Sequence, residues 1–390
     1  MTEEVASLED HSPLGASGMY RWSVCPGSVP LSFGAPSTSS SFALDGTAAH
    51  SLGEACFAEN IDAWEYIGHH FKGVEVDKDM ADAVQVYLDA VRVRHPNRDQ
   101  GNSWIERSFH CGAIHDQMYG TSDLVYYNQG QRSLDVWDYK HGAGIVVDVQ
   151  ENPQLMYYGV GMLEDLDLWG KVDKVTLHIA QPRGWHPDGP IRSWTISTEA
   201  LAKWRDEVLL PAMELAQTST ETISGPHCRF CPARAMACPA IAADMDELEE
   251  LMTEFTERGG AEGLSNEQVG RFLVLRDTAE MVCKEVSRVA FHRLNAGTPI
   301  PGRKLVMSRT NRAWQEGAED VVVAAMGWGS AYAPGKLKTP AQIEKLAGGT
   351  ALTDEWSMKP EGKLTVAPES DKRAEVDRDV SKLFEPVEEK

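Results

Sequence analysis

Between residues 103 and 163, three strand-like segments follow one another closely and a helix-like segment comes directly after them. The strand-like segments are SWIERSFH (103–110), GTSDLVYYN (120–128) and LDVWDYKHG (134–142). The helix-like segment NPQLMYYGVGML (152–163) has Pro153 in its first turn, where proline is tolerated. Helical patterns precede this block, and KVTLHIAQPRG, IRSWTIS and a further helical pattern follow it. The order predicts an α/β fold with a central mixed sheet flanked by helices.

Length and charge narrow the class of protein. The chain has 390 residues and a formal net charge of −22, which argues against a general nucleic-acid coat protein but leaves room for an enzyme with a local basic groove and bound cations. No apolar run approaches the roughly 20 residues of a membrane span. The start MTEEVASLEDHSPLG is acidic and lacks the apolar core of a signal peptide. We therefore expect a cytoplasmic protein without membrane contact, in a bacterial or phage-infected cell.

Composition shifts along the chain predict four parts. Residues 1–40 read as a loosely structured lead-in, and residues 41–242 as the principal α/β domain. A helical segment over 243–300 and a less regular extension over 301–390 follow, so the fold carries a helical C-terminal extension. The acidic end of that extension is expected to be disordered.

Local signals place individual helices. Asp45 or Thr47 is a candidate N-cap for a helix through GTAAH. DMADAVQVYLDAVRVRH puts its apolar residues Val84, Leu88 and Val91 on one helical face. In the C-terminal half, SNEQ at 265–268 has the pattern of a capping box that opens a long helix.

The chemistry-bearing feature is an acid and a base on one strand. Asp138 and Lys140 are two residues apart, so on a strand they point to the same face. Asp123 lies on the preceding strand, and adjacent strands are about 5 Å apart, so the two carboxylates could share a hard divalent cation. Lys140 could then orient a water and offset charge at a phosphate, as metal-assisted phosphodiester hydrolysis requires. Taken alone, the pair is better explained as a solvated ion pair on a half-buried strand.

Other residues raise the weight of the metal hypothesis. His50 in GTAAH could ligate a metal from a helix, and Gln154 and Tyr158 are spaced i, i+4 on one helical face. Glu54 and Glu106 are weaker candidates for metal or supporting roles, because solvent exposure explains them as well.

At this point the motifs resemble the PD-(D/E)XK nuclease superfamily, in particular its RecB-like branch. The motifs stand in the order of that branch as GTAAH (46–50), GTSD (120–123), DYK (138–140) and QLMYY (154–158). The resemblance implies a restriction-endonuclease-like core, Mg²⁺ or Mn²⁺ as cofactor, and a catalytic lysine at Lys140. It also implies metal ligands, which are His50, Asp123, Asp138 and the Tyr139 carbonyl. Gln154 and Tyr158 would contact DNA or orient the site.

Three cysteines cluster near the end of the principal domain in the spacing Cys228-x2-Cys231-x6-Cys238. The spacing suggests a metal or iron–sulfur site in a chain unlikely to carry disulfides. With Cys25 upstream, the set resembles the iron–sulfur staple of AddB-type and CRISPR-associated RecB-like nucleases. That resemblance implies a structural 4Fe–4S cluster, and four thiolates could instead hold Zn²⁺.

The resemblance implies a metal-dependent DNA nuclease, and an exonuclease in phage or prophage recombination is expected. Segments such as YRWSVCPGS and KLTVAPESDKR also resemble an uncharacterised phage and prophage family. The expected partner is single- or double-stranded DNA, with a phage recombinase or single-strand-binding protein by analogy. Two alternatives stay open: a catalytically silent DNA-binding or assembly module of the same fold, and a redox-sensing iron–sulfur protein. The basic residues Arg303, Lys304, Arg309 and Arg312 could hold phosphates or simply be solvated.

Overall fold

A computed structural model describes residues 12–35, 41–98, 101–315, 317–333, 336–346, 348–360, 362–368 and 371–376. The chain divides into two compact units, Met1–Ala279 and Glu280–Lys390. The principal elements are labelled in chain order. Helices are α1 (Ser41–Glu59), α2 (Lys78–Arg94), α3 (Pro153–Asp165), α4 (Thr198–Trp204, continuing through a π-helical Arg205–Leu209 into Leu210–Thr218), α5 (Pro239–Glu257) and α6 (Asn266–Asn295). Strands are β1 (Ser103–His110), β2 (Tyr119–Asn128), β3 (Ser133–Tyr139), β4 (Lys174–Ala180) and β5 (Ile191–Ser197).

The five strands form one mixed sheet in the order β1-β2-β3-β4-β5. All neighbours are antiparallel except β3 and β4, which run parallel and are joined by α3. A parallel pair needs such a crossover, whereas antiparallel neighbours need only a short turn. The predicted α/β fold with a central mixed sheet flanked by helices is confirmed.

Alternation along β3 divides its side chains between two cores. Leu134 and Val136 face the side of the sheet covered by α3, where they join a core with residues such as Val160. Trp137 and Tyr139 face the opposite side, where α1 and α2 cover the sheet. With side chains buried on both faces, β3 is the most deeply enclosed strand near the centre of the sheet.

Helix starts follow their capping residues in two places and depart from the prediction in one. The Asp77 side chain accepts a hydrogen bond from the Met80 amide at the start of α2, and Asn152 does the same for Leu155 at the start of α3. Asp45 and Thr47 were the expected caps of α1, but this helix is already formed at Ser41, so that expectation is wrong. Asp45 lies within the helix and makes tertiary contacts instead.

The described part of the lead-in is folded against the principal core. Short helical turns span Ala16–Gly18, Met19–Trp22 and Ser28–Leu31. Leu14, Met19 and Trp22 are buried with the α3 side of the sheet. The expectation of a loose lead-in is therefore wrong for residues 12–35, because its apolar side chains complete the core. Residues 1–11 and 36–40 lie outside the described residues.

The predicted long helix is α6, which opens with the expected capping box. The Gln268 amide donates to Ser265 Oγ at 3.3 Å, and the Ser265 amide donates to Gln268 Oε1 at 2.9 Å. Beyond it, the second unit contains strands as well as helices. Its longest strands, Arg303–Met307 and Leu364–Pro368, pair antiparallel, and its longest helices are Ala318–Met326 and Gly349–Trp356. The acidic end, predicted to be disordered, lies outside the described residues from 377 onward.

The remaining elements are short. Strand pairs are His70–Phe71 with Val74–Glu75, Ala313–Trp314 with Ser357–Met358, and Tyr332–Ala333 with Lys336–Leu337. Helical turns are Ala63–Tyr66, Pro226–Phe230, Pro232–Ala235, Ala261–Gly263, Trp328–Ala331 and Pro340–Ile343.

Candidate functional site

The candidate site lies where β2 and β3 part. Their ladder ends at the pair Leu124–Trp137, and the same register carried one residue further sets Asp123 opposite Asp138. Beyond this pair, a side chain replaces the backbone partner on β2: Asp123 Oδ2 accepts a hydrogen bond from the Tyr139 backbone amide at 2.6 Å. The two carboxylates predicted to be neighbours therefore face each other across the opening between two strands.

A chain of hydrogen bonds holds the lysine of the DYK motif. The Lys140 ammonium donates to Asp138 Oδ1 and to Gln154 Oε1, each at 3.0 Å. The Gln154 amide in turn donates to the Tyr158 hydroxyl at 3.2 Å. The i, i+4 pair predicted on one face of α3 thus fixes the lysine beside the carboxylate, and both positions are set by well-packed elements.

Only one oxygen of the Asp138 carboxylate accepts a hydrogen bond in the described structure. Lys140 Nζ lies 2.9 Å from Oδ2, but only Oδ1 is aligned to accept its hydrogen bond. Among the residues that the structure describes, Asp138 Oδ2 is buried without a hydrogen-bond partner. Burial raises the pKa of Asp138, the charge of Lys140 opposes that rise, and Asp123 adds to it, so the net shift is upward. Because its contact with Lys140 is an ion pair without hydrogen-bond geometry, Oδ2 can still accept a further ligand.

On the other side of Asp123, three groups that could bind a metal converge. The ligand atoms of His50, Glu106 and Asp123 all lie within 4.8 Å of one another. His50 Nδ1 is 3.3 Å from Asp123 Oδ1 and 3.9 Å from Glu106 Oε1. The predicted metal ligand His50 thus belongs to a group with Glu106, which the sequence marked only as a weaker candidate.

The charges of His50, Glu106 and Asp123 shift one another's pKa values. Burial lowers the pKa of the His50 imidazole, but the neighbouring carboxylates, Asp123 first among them, outweigh burial and raise it to about 9. Burial and the charge of Asp123 raise the pKa of Glu106 to about 7. Burial would also raise the pKa of Asp123, yet His50 and the Tyr139 amide lower it overall. The carboxylates therefore stabilise the positive charge of the His50 imidazolium.

Glu106 owes its position to an unusual backbone. Its φ of 46° lies in the left-handed region, which a non-glycine residue adopts at a cost. It sits within β1 between Ile105 and Arg107, whose partners Leu124 and Ser122 flank Asp123. Glu106 is therefore opposite Asp123, and a row of three acids crosses β1, β2 and β3.

A cleft opens beside this row. It is lined by Ala49, His50, Gly53, Glu54, Phe57, Tyr87, Ile105, Glu106, Asp123 and Tyr139. Tyr87, on α2, stacks on Tyr139 with ring centroids 5.2 Å apart. In the described parts of the chain, its buried hydroxyl has no hydrogen-bond partner. The sequence analysis missed Tyr87, although its place on the same apolar face as Val84 and Leu88 could have marked it.

A polar layer behind Tyr139 was also missed. The Arg183 guanidinium donates to His141 Nε2 at 2.5 Å and to Asp45 at 3.0 Å. With Nε2 accepting, Nδ1 of His141 carries the proton and donates to the Tyr139 hydroxyl at 2.8 Å. Nothing in the local sequence pairs these residues, which come together from α1, the end of β3 and the loop after β4.

A second histidine group, His95, Asp135 and His178, has ligand atoms equally close together. Three of its four ring nitrogens already have hydrogen-bond partners. Trp137 Nε1 donates to His95 Nε2 at 3.0 Å. His178 contacts Asp135 at 2.8 Å through Nε2 and Ser193 at 2.7 Å through Nδ1. This group is a hydrogen-bonded part of the core rather than an open ligand site.

The four predicted cluster cysteines approach one another in space. Burial and the other three thiols raise the pKa of Cys228. The Ile223 amide donates to Cys25 Sγ at 3.3 Å, and the Gly27 amide donates to the Glu221 carbonyl at 2.8 Å. A Cβ on Gly27 would lie 2.5 Å from that carbonyl oxygen, so glycine permits the close approach of the two segments.

The spacing of the sulfurs differs from that of a compact metal site. All four cysteines lie in the described residues, and no three of their sulfurs lie within 4.8 Å of one another. Tetrahedral Zn²⁺, with Zn–S bonds of about 2.3 Å, needs sulfurs about 3.8 Å apart. The thiols would therefore have to move closer together to hold a single zinc ion.

Both donor sets fit the groups for which the sequence analysis selected them. The carboxylate oxygens of Asp123, Asp138 and Glu106 are the ligand type that a hard divalent cation such as Mg²⁺ or Mn²⁺ prefers. Four mostly buried thiols outside a disulfide suit a soft metal centre.

The fold and site together define an α/β protein with a row of acids and a hydrogen-bonded lysine at the parting of two central strands. Residues 11–374 match the family described as protein of unknown function (DUF2800), and the chain belongs to that family. Within the described part of the chain, every helix is too short or too polar to cross a membrane.

Proposed function

We propose that this protein is a Mg²⁺- or Mn²⁺-dependent DNA nuclease with a restriction-endonuclease-like core of the RecB-like PD-(D/E)XK type. The observation that carries the proposal is the Lys140 ammonium, held between Asp138 and Gln154 beside a second carboxylate, Asp123. The mixed sheet with α3 crossing between its parallel strands is consistent with that core. The expected action is exonucleolytic, in phage or prophage DNA recombination, with a phage recombinase or single-strand-binding protein as a possible working partner.

Two carboxylates would hold the cation, and Lys140 would act beside it. Asp123, Asp138 and the Tyr139 carbonyl are the candidate ligands, with His50 adjoining Asp123. A bound divalent cation would supply an activated water and stabilise charge on the phosphate. Phosphodiester hydrolysis of this kind needs carboxylates to bind the cation and a lysine to act beside it.

The residues around the lysine set its position. Because Asp138 and Gln154 each accept one of its hydrogen bonds, the ammonium keeps a third proton to donate to a phosphate oxygen or a water. Tyr158 holds the Gln154 amide so that its carbonyl oxygen faces the lysine. Preorganised donors of this kind stabilise developing charge without having to reorient.

The cysteines would form a structural 4Fe–4S cluster, with Zn²⁺ as the alternative occupant. Support comes from the approach of Cys25 to the later cysteines: Cys25 Sγ accepts from the Ile223 amide at 3.3 Å, and Cys228 Sγ donates to the Ile223 carbonyl at 3.9 Å. The cluster would staple the lead-in to the segment that follows the sheet.

A cleavage assay with matched variants tests the nuclease proposal. Purified protein is incubated with linear and circular DNA, single- and double-stranded, in Mg²⁺, Mn²⁺ or EDTA. Asp138→Asn and Lys140→Met should each lower the cleavage rate by about 10²- to 10⁴-fold. Lys171→Met, which removes an exposed lysine paired with Asp167, is the control and should cleave normally.

The outcomes separate the hypotheses. Cleavage that persists in both site variants would rule out the proposed site. DNA binding without metal-dependent cleavage of any substrate would favour a silent binding module, and redox-dependent binding would favour a sensor.

A further inference from the structure

The loop between β3 and α3 joins the two elements that hold Lys140. It begins at His141, directly after the lysine, and it ends at Asn152, which caps the helix that carries Gln154. Residues 142–146 are all exposed, and their first three, Gly-Ala-Gly, have no long side chains to cover the backbone. A DNA strand bound at the proposed site would therefore pass next to this loop.

Two buried side chains hold the inner side of the loop. Gln181, which follows β4 and is 1% exposed, donates from Nε2 to the carbonyls of Gly142 at 3.0 Å and Ile145 at 2.6 Å. Its Oε1 accepts from the Val147 amide at 3.1 Å. Arg192 of β5 donates to the Val147 carbonyl at 2.8 Å and to the same Oε1 at 2.9 Å. The loop is thus fixed from beneath although its outer side is exposed.

These contacts decide where backbone amides of the loop point. In a trans peptide the C=O and N–H groups point in opposite directions, and the described chain has no cis peptide. The Gly142 carbonyl faces Gln181, so the next amide, that of Ala143, faces away from it. The same holds for the Ile145 carbonyl and the amide of Val146. Neither amide donates a hydrogen bond within the described structure, so both are free to donate to a group outside the protein.

An independent observation places a positive charge beneath the loop. Arg192 is 4% exposed, and its hydrogen bonds in the described structure all go to neutral oxygens of the backbone or of Gln181. Its Nε is buried without a hydrogen-bond partner among the described residues. The two acids that attract this charge, Asp148 and Asp188, are exposed and contact His186 instead. A buried cation without a paired anion is costly, so an anion on the outer side of the loop would be stabilised.

We propose that the loop 142–148 binds the phosphate backbone of a DNA strand through the outward amides of Ala143 and Val146, with the charge of Arg192 beneath them. Backbone amides hold phosphates without reading bases, so this binding has no sequence preference. The inference rests on the proposed function, because it gives the strand a path toward Lys140. A free mononucleotide has the same phosphate chemistry but makes fewer contacts, so a strand should bind more tightly.

Oligonucleotide binding tests the loop without reference to cleavage. A fluorescent single-stranded DNA is titrated with the full chain in EDTA, and its anisotropy gives Kd. Ala143→Pro and Val146→Pro each remove one amide donor and should weaken binding about tenfold, as expected for one lost hydrogen bond to a charged group. Gly130→Pro is the matched proline control and should bind normally. It lies in the exposed turn at the other end of β3, at the second position of the turn, where proline is favoured.

Hydrogen exchange of the loop amides, read by mass spectrometry, supplies a second readout. The amides of Ala143 and Val146 should exchange rapidly in the free protein and slow about fivefold or more when the oligonucleotide is added. The Val147 amide, bonded to Gln181, should be protected in both states. Gln181→Met should remove that protection and weaken DNA binding. Melting curves establish that each variant is folded.

Equal affinity of the two loop proline variants and Gly130→Pro, or loop exchange that DNA leaves unchanged, would overturn the proposal. Displacement of the strand by an equimolar mononucleotide would do the same. Weaker binding by the loop variants, without any DNA cleavage by the wild type, would leave the phosphate site standing while the nuclease proposal fails. Cleavage that depends on Lys140, with unchanged binding by the loop variants, would do the reverse.

Discussion

At the scale of single residues, Glu106 combines two costs. Its backbone is in the left-handed region, and its side chain is half-buried beside another acid. Both costs persist only because the surrounding sheet imposes them, and such strain is common where a side chain must be aimed at a ligand. Glu106 is therefore a position where the sheet holds a side chain at a cost in stability.

Relief of that strain is measurable. Glu106→Gly should stabilise the metal-free protein by about 1 kcal/mol, because glycine adopts the left-handed conformation freely and the repulsion with Asp123 is removed. Chemical denaturation checks this. Glu151→Gly, at an exposed site with a φ of 51°, reports the backbone effect alone. Destabilisation at 106 with stabilisation at 151 would mean that the Glu106–His50 contact outweighs the strain.

At the scale of elements, the end of α2 is tied to the sheet by aromatic and histidine contacts. His95 follows the last turn of α2, accepts from Trp137 of β3 and stacks on Tyr126 of β2 at 4.3 Å. His178 of β4 stacks on the other side of this layer, 4.1 Å from Trp137. Burial lowers the pKa of His95 to about 4, and burial also lowers that of His178.

This layer predicts acid sensitivity. Between pH 6.5 and about 4, His95 binds a proton in the unfolded chain but not in the folded one, so stability is complete above pH 6.5 and falls as the pH drops toward 4. At pH 4.5 the loss from His95 should be roughly 2 to 3 kcal/mol. His95→Gln, compared with the exposed His70→Gln, should lose less stability between pH 7 and 4.5 in denaturant titrations. Equal losses in both variants would contradict the assignment.

At the scale of the whole molecule, the charge of −22 does not describe the local surface. Of the predicted basic patch, Arg312 is paired with Glu344, so its charge is partly neutralised. Arg303 and Arg309 are exposed, and the described residues offer neither an ion-pair partner. Within the first unit, Cys25 of the lead-in approaches the cysteines 228–238.

The staple makes a prediction about long-range stability. If a 4Fe–4S cluster joins the lead-in to residues 228–238, the purified protein should be brown, absorb at about 400 nm and contain iron and sulfide. Cys231→Ala should lose the colour and the metal and should melt at a lower temperature, because the lead-in is no longer fastened. Cys111→Ala, at a buried thiol outside the group, should keep the colour. Zinc without iron in the wild type would replace the cluster with the alternative.

Patterns local in the chain determined much of this protein. Alternation located the five strands, Pro153 located the start of α3, a capping box located the start of α6, and the i, i+4 spacing put Gln154 beside Tyr158. The distance between Asp138 and Lys140 could also be anticipated, since neighbours on a strand have a fixed geometry. These features depend on residues a few positions apart, whose relative placement the backbone repeat sets.

What joins distant segments was decided only by the tertiary structure. The end of the β2–β3 ladder sets Asp123 against Asp138, the left-handed backbone aims Glu106, and α2 brings Tyr87 to the same cleft. Strand register and helix packing arise from the burial of whole faces, which no short stretch of sequence encodes. The sequence could therefore mark the acids as candidate metal ligands, but their arrangement around Asp123 depends on the folded chain.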